Sequence, residues 1–243
     1  MASKFYRMSG AASTLAAVAV LLAAPAAAPA AFMVAIGPST ISGTGLGAVN
    51  TILTLQSPRD STTETGAVSF NAGTMADVIT TGGDALTGSS QTKTITETAL
   101  ATTSSGFAFS TNDLRLVVNL NEPGSESPPT VTVLSLTATF FNAAGLVVDT
   151  ATLTSVPLSL VQISPGIGQS GQGFRITGID STAFRVGLAA SIGDASGGPE
   201  TFYVGDGGKK IQAVPVPATA LAVAAALPLL GLGGRFRRRL DRA

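Results

Sequence analysis

Cysteine, histidine and tryptophan are all absent from this chain of 243 residues. Without cysteine there are no disulfides and no thiolate nucleophile, and without histidine the Ser-His-Asp and Cys-His arrangements and ordinary zinc sites are excluded. Glycoside hydrolysis needs only two carboxylates and so remains an enzymatic alternative. The chain nevertheless lacks the tryptophan on which sugars commonly stack, and we therefore expect a protein that is not an enzyme and holds no cofactor.

Charged residues make up only 12% of the chain, and their distribution matters more than their sum of zero. Between positions 32 and 213 there are seven basic and thirteen acidic residues, a net charge of −6. The last nine residues, in contrast, contain five arginines and one aspartate. Proteins that bind nucleic acid carry basic surfaces, so we expect no nucleic-acid partner for the acidic middle of the chain.

The N-terminus has the three-part layout of a secretory signal peptide. It begins with the basic residues Lys4 and Arg7, continues through the apolar run Ala11 to Leu22, and ends in alanines and prolines. The apolar run is too short to span a bilayer comfortably, which favours a cleavable signal over a membrane anchor. The alternative is a buried alanine-rich helix, but the order of the three parts favours export.

Signal cleavage is predicted after Ala30, so that residues 1–30 are removed. Ala28 and Ala30 then supply the small side chains that the signal peptidase requires at the third and first positions before the cut. Cleavage after Ala28 is the alternative, but it would place Pro29 next to the scissile bond. The mature chain is therefore expected to begin with Ala31.

A second apolar segment lies at the C-terminus. Ala218 to Gly234 is a run of 17 uncharged residues, which as a helix would be about 25 Å long, close to the roughly 30 Å of a bilayer's hydrocarbon core. The arginines that follow predict a transmembrane helix with its C-terminus in the cytoplasm, because basic residues accumulate on that side. The alternative is a core helix with a basic tail, but the run has no polar face.

The order of features at this end is specific. The stretch Val-Pro-Val-Pro-Ala precedes the apolar helix, and an arginine cluster follows it. This order resembles the PEP-CTERM sorting signal, and most closely its VPLPA variant, over the last 30 residues, Val214 to Ala243. Val216 departs from both forms, which have Glu or Leu there. The resemblance assigns recognition to Val214, Pro215, Val216, Pro217 and Ala218, and membrane retention to Arg235, Arg237, Arg238 and Arg239.

That resemblance implies a partner and a destination. Proteins with such signals are substrates of exosortases, membrane-embedded cysteine enzymes that are thought to cut near the Pro-x-Pro motif. The implied route runs through an inner-membrane intermediate to the cell surface or the extracellular exopolysaccharide matrix. Prolines at Pro215 and Pro217 suit this role physically, because they keep the chain extended and accessible to a protease.

Residues 31–213 are expected to form one β-rich domain. Short Thr- and Val-rich stretches separated by turn formers indicate an antiparallel β-sandwich of jelly-roll or immunoglobulin-like type. Within Thr130 to Phe141 the apolar positions change parity after Val133, which predicts a β-bulge or a strand crossing between sheets. Further strands are predicted over the following segments: Leu114 to Leu120, Leu146 to Leu153, Pro157 to Ile163, Phe174 to Ile179, Phe184 to Ala189 and Thr201 to Val204. A turn is predicted over Asn142 to Gly145, and the strands at Thr130, Leu146 and Pro157 are expected to form an antiparallel meander.

Two other features of the domain give weaker signals. Ser39 to Ser104 has few large apolar residues, so we expect an irregular edge or partial disorder there. Asp194, Glu200 and Asp206 lie among glycines and are weak candidates for calcium ligands, with solvated loops preferred. No metal site is therefore assigned.

The sequence thus favours an exported, non-enzymatic protein of the cell surface or matrix, either structural or bound to exopolysaccharide. Two alternatives remain open. One is a secreted, carboxylate-dependent glycoside hydrolase with the same sorting signal, for which we expect a cleft with two carboxylates about 5 to 10 Å apart. The other is an ectodomain that stays anchored in the membrane without cleavage.

Overall fold

The structure, a computed structural model, describes residues 30–39, 50–57, 61–80, 83–121, 130–162, 170–195 and 198–209. Within them lie one short helix, α1 (Glu97–Thr103), and twelve strands. The strands are β1 (Phe32–Pro38), β2 (Asn50–Leu55), β3 (Thr63–Asn71), β4 (Ala76–Ile79), β5 (Ile95–Thr96), β6 (Asn112–Leu120), β7 (Thr130–Phe141), β8 (Val147–Thr152), β9 (Leu158–Val161), β10 (Ser170–Thr177), β11 (Arg185–Gly193) and β12 (Glu200–Lys209).

The strands form two antiparallel sheets, which confirms the prediction of a mainly β, antiparallel fold. Sheet A has the order β1-β10-β6-β12-β2, and sheet B has the order β4-β3-β11-β7-β8, with β5 added to β11 and β9 added to β7. Consecutive strands therefore pass repeatedly from one sheet to the other. Each sheet in this way contains strands from both halves of the chain.

One hydrophobic core is shared by the inner faces of the two sheets, as expected for a sandwich. Three phenylalanines form its aromatic centre: Phe109 stacks edge-on against Phe107 at 5.2 Å and against Phe140 at 5.7 Å between ring centroids. Phe109 and Phe140 are fully buried. Edge-to-face pairs of this kind add stability beyond the apolar area that they bury.

Main-chain bridges close both long sides of the sandwich. On one side Met33 of β1 forms a parallel bridge with Leu153, just beyond β8. On the other side Leu55 of β2 bridges Ala85, and Asp84 binds Thr65 of β3 through both its backbone and its carboxylate. These bridges join sheet A to sheet B at each open edge.

The predicted change of parity in β7 is a β-bulge. Ser191 of β11 pairs with Ser135 and the next residue, Ile192, pairs with Val133, so that Leu134 is the extra residue and remains 43% exposed. On both sides of the bulge the apolar side chains face the core. The bulge thus restores the inward orientation that one additional residue would otherwise reverse.

The expectation for Ser39 to Ser104 holds only in part. This segment supplies the edge strands β2 and β4, but its described residues also form β3, β5 and α1. Most of the large apolar residues described there are buried, whereas Met75 and Val78 are exposed. The expectation of a three-stranded meander was wrong, because β9 pairs with β7 rather than with β8. Both β8 and β9 lie along the same edge of β7, one beyond the other.

The first and last strands end at the same end of sheet A. Phe32, at the start of β1, pairs with Thr177 at the end of β10. Near the end of β12, Asp206 pairs with Leu114 at the beginning of β6. Leu114 in turn pairs with Ile176 of β10, the residue before Thr177. Three strand spacings of about 4.8 Å therefore separate the two positions, or about 14 Å.

Candidate functional site

Most of the predicted targeting residues lie outside the described part of the chain. These are Ala28, the sorting motif Val214, Pro215, Val216, Pro217 and Ala218, and the arginines Arg235, Arg237, Arg238 and Arg239. Ala30 is described and is exposed, and β1 begins two residues after it. The helix α1, with seven residues, is too short to cross a membrane, and no other helix occurs among the described residues.

The three candidate calcium ligands are not brought together. Asp194 is exposed, with a φ of 61°, and its Oδ2 accepts a hydrogen bond of 2.6 Å from the hydroxyl of Thr132. Glu200 is fully buried at the start of β12. Asp206 lies six residues further along that strand, about 20 Å away, and accepts from the amide of Gly208 at 2.7 Å. Within the described residues, no three acidic side chains cluster in a way that could hold a metal ion.

The outer face of sheet B carries an array of small hydroxyl side chains, which we call the hydroxyl face. One row pairs Thr65 and Ser191, whose hydroxyl oxygens are 2.9 Å apart, and a second pairs Thr137 and Thr152 at 3.1 Å. Such cross-strand hydroxyl pairs stabilise a sheet and leave further lone pairs and protons free for a ligand. The hydroxyl face consists of Thr65, Ser135, Thr137, Thr139, Thr150, Thr152 and Ser191.

An open pocket of about 300 Å³ lies on this face, between β3, β7 and β11 and the segment that follows β4. Ala189 on β11 contributes to its floor, and Thr65, Ser135 and Asp84 contribute polar atoms. Asp84 is the one carboxylate among the residues that line it, and that carboxylate accepts the backbone N–H of Thr65 at 2.7 Å. Hydrolysis of a glycosidic bond requires a second carboxylate, which this pocket does not provide.

Sheet A presents a different outer surface, in which two arginines lie side by side. Arg115 on β6 is directly opposite Arg175 on β10. The carboxylate of Asp113, which is almost fully buried, accepts hydrogen bonds from Nε of Arg175 at 2.9 Å and from its Nη2 at 2.5 Å. Like charges opposite each other normally destabilise a strand pair, and this carboxylate offsets that repulsion.

Tyr203 of β12 lies on the same surface, opposite Val117 of β6. Burial raises the pKa of its phenol above the ordinary value of 10.0, and a side-chain hydrogen bond with Thr201 offsets part of that rise. The phenol is therefore held in its neutral, protonated form. Tyr203 is therefore a partly buried, neutral tyrosine on the outer surface of sheet A.

Neither the hydroxyl face nor the arginine pair is predicted from the sequence. The signal for the first was present in β7, where Ser135, Thr137 and Thr139 alternate with inward apolar residues. The second depends on which strand pairs with which, and the sequence did not provide this. Comparisons with protein-family models, with curated proteins and with solved structures give no match.

Proposed function

We propose that this chain is an exported, non-enzymatic protein of the cell surface or extracellular matrix, which an exosortase processes at its C-terminus. The observation that carries the proposal is the order of features from Val214 to Ala243: a Pro-x-Pro motif, a 17-residue uncharged run and an arginine cluster. In this proposal the protein passes through the inner membrane as an intermediate. The uncharged run from Ala218 to Gly234 then enters lipid, and the arginines retain it from the cytoplasmic side.

The extent of the described fold supports this division of the chain. β1 begins at Phe32, directly after the proposed signal peptide, and β12 ends at Lys209. Only four residues then separate Lys209 from Val214. An exosortase acting near Pro215 or Pro217 would therefore release a complete β domain with a short tail.

For the domain itself we propose a jelly roll, the first of the two sandwich types expected from the sequence. Strand pairing supports this choice. Eight strands pair as nested partners, outermost with outermost: β2 with β12, β3 with β11, β6 with β10, and β7 with β8. A long antiparallel hairpin wound across two sheets produces this nesting. β1 and β4 extend the two sheets at their edges.

We further propose that the domain associates with neutral exopolysaccharide through the hydroxyl face. The domain between positions 32 and 213 has a net charge of −6, which disfavours an acidic polymer. The hydroxyl face itself carries uncharged, short side chains that can exchange hydrogen bonds with sugar hydroxyls. Hydrogen bonds to Thr137, Thr139 and Thr152 would orient a linear polymer along the strands.

Processing is tested by the intact mass of the protein, recovered from cell surface and medium of strains with and without the exosortase. We expect the last 25 to 30 residues to be lost only when the exosortase is present. A Pro215→Ala, Pro217→Ala variant should be exported but remain uncut. Pro38→Ala, at an exposed proline at the end of β1, is the matched control that should leave cutting unchanged. If the C-terminus remains attached in both strains, the protein is a permanently anchored ectodomain.

Association with polysaccharide is tested separately, by equilibrium binding of the purified protein to a soluble neutral glucan and to an acidic polyuronate. We expect the glucan to bind, and Thr139→Arg to weaken that binding at least about tenfold, which corresponds to 1.4 kcal/mol. Thr102→Arg, on the exposed side of α1, is the matched control. Equal affinity of the two variants, or a preference for the polyuronate, would refute this part of the proposal.

A further inference from the structure

The carboxylate of Asp149 gathers backbone amides from three separate segments. Both of its oxygens lie 3.2 Å from the backbone nitrogen of Ala31. Oδ1 also accepts from the amide of Thr150 at 2.8 Å, and Oδ2 accepts from the amide of Asp180 at 3.1 Å. Asp149 on β8 thereby joins the start of β1 to the segment that follows β10.

Ala31 is the residue at which the sequence predicts the mature chain to begin. Its side chain is buried, with 7% exposed, whereas Ala30 is exposed. The ion pairs found between described residues are Arg175 with Asp113 and Arg185 with Asp77, and neither involves Asp149. An amide that is predicted to become a free amine therefore faces a carboxylate to which the described residues supply no side-chain cation.

We propose that cleavage after Ala30 creates an α-ammonium group on Ala31 that forms an ion pair with Asp149 and locks the N-terminus onto the folded domain. The proposal rests on the export proposed above. In the cleavage, water adds across the Ala30–Ala31 peptide bond; Ala30 leaves with a carboxylate, and the nitrogen of Ala31 takes up protons and becomes an ammonium. Signal removal precedes folding, so the burial of Ala31 does not hinder the peptidase.

The new charge strengthens a contact that already has suitable geometry. A charge-assisted hydrogen bond is roughly twice as strong as one between neutral groups, and the ammonium has three protons to share between the two oxygens. The contact also lies at the junction of the two sheets, because β1 is the edge strand of sheet A and Met33 bridges it to Leu153 beside sheet B. The mature N-terminus would therefore hold one long side of the sandwich closed.

The two candidate cleavage positions, after Ala28 and after Ala30, give the nitrogen of Ala31 different charges. Cleavage after Ala28 would leave Pro29 and Ala30 attached, so that the nitrogen of Ala31 stays an uncharged amide donor to Asp149. Cleavage after Ala30 places the charge directly on the carboxylate. The structure therefore gives the two forms different stabilities, although they differ by only two residues.

The test compares four proteins released from a removable N-terminal fusion and kept in detergent with their C-terminus intact. Two begin at Ala31 and two begin at Pro29, and each pair carries either Asp149 or Asp149→Asn. We expect the Ala31 form to melt about 2–4 °C above the Pro29 form, and this difference to vanish in the asparagine pair. Equal melting of the two Asp149 proteins, or a difference that persists with asparagine, would overturn the inference.

A second measurement covers the case in which the asparagine variants do not fold. The α-amine of the Ala31 protein should react with an acylating reagent several times more slowly in the folded state than in denaturant, and equal rates would overturn the inference. N-terminal sequencing of the exported protein tests export separately. If the exported protein begins at Ala31 but the stability difference is absent, the ion-pair proposal is refuted and the proposed function is unaffected. The purified proteins can be compared even if export fails.

Discussion

The bulge at Leu134 allows a sharp test, since it predicts that two single-residue deletions in the same strand have opposite outcomes. Deleting Leu134 removes the extra residue opposite the Ser191–Ile192 step, so that Val133 and Ser135 pair with consecutive residues of β11. Inward and outward side chains then alternate without interruption along β7. We expect this deletion to cost only about 1 kcal/mol, because Leu134 is 43% exposed and is not part of the buried core.

Deleting Thr137, three residues further on, should be far more damaging. It moves the rest of β7 by one position, so that Ala138 and Phe140 turn outward. Phe140 is fully exposed to water in that arrangement but fully buried in the native one, and its loss from the core alone costs about 3 kcal/mol. Burying the hydroxyl of Thr139 in its place adds about 1–3 kcal/mol.

The total for the Thr137 deletion is therefore about 5 kcal/mol, comparable with the whole stability of many domains. Urea unfolding followed by circular dichroism gives the free energy of unfolding for both deletions and for the parent chain. The two deletions have equal length, which makes each the control for the other. Equal losses, or a greater loss for the Leu134 deletion, would refute the assignment of Leu134 as the bulged residue.

Three further outcomes are expected. Because burial holds the folded-state pKa of Tyr203 above the unfolded value, the unfolding free energy should fall as pH rises past 10.0, and Tyr203→Phe should remove that fall. The only other tyrosine, Tyr6, is in the proposed signal peptide, so tyrosinate absorbance of the mature protein reports Tyr203 alone. Equal titration midpoints in the folded and the unfolded protein would contradict the prediction. Arg175→Met should lower the unfolding free energy by about 2–3 kcal/mol, because it leaves the nearly buried carboxylate of Asp113 without its guanidinium, and adding Asp113→Asn should recover part of the loss. If the two single losses simply add in the double variant, the two residues are not a coupled pair. Phe109→Ala should cost about 3–5 kcal/mol in urea unfolding, since it empties the centre of the aromatic cluster, and a cost below 1 kcal/mol would show that the core repacks around it.

The sequence predicted best where apolar residues alternate cleanly. In β7 the change of parity after Val133 identified the bulge, and the turn from Asn142 to Gly145 was predicted in its observed place, where the amide of Gly145 donates to the carbonyl of Asn142. These features depend on neighbouring residues along one strand. Local sequence therefore contains nearly all the information that determines them.

Prediction failed in β3, where the inward positions are not large and apolar. Glu64 and Gly66 face inward there together with Val68 and Phe70, so the strand lacks the expected pattern. A Cβ on Gly66 would lie 2.6 Å from Cδ2 of Leu55, so packing against β2 favours glycine at that position. That requirement comes from a contact distant in sequence, which no local pattern shows.

The candidate surfaces were hidden for the same reason. Arg115 and Arg175 are 60 positions apart in the chain and become neighbours only when β6 pairs with β10. Likewise, the hydroxyl of Thr65 meets that of Ser191 only through the pairing of β3 with β11. Residue types could suggest a hydroxyl-rich protein, but only the strand order shows that the hydroxyls share one face.

Phe32 and Asp206, near the start of β1 and the end of β12, lie about 14 Å apart at one end of the sandwich, so both chain ends leave the domain from that end. A lipid attachment through either terminus would place that end nearest the bilayer. The loops near Ser57, Asn121 and Asp194 belong to the opposite end, and these would point into the medium. The hydroxyl face would then stand upright, with its strands perpendicular to the membrane, so that a polymer chain could approach it from the side without meeting the headgroups.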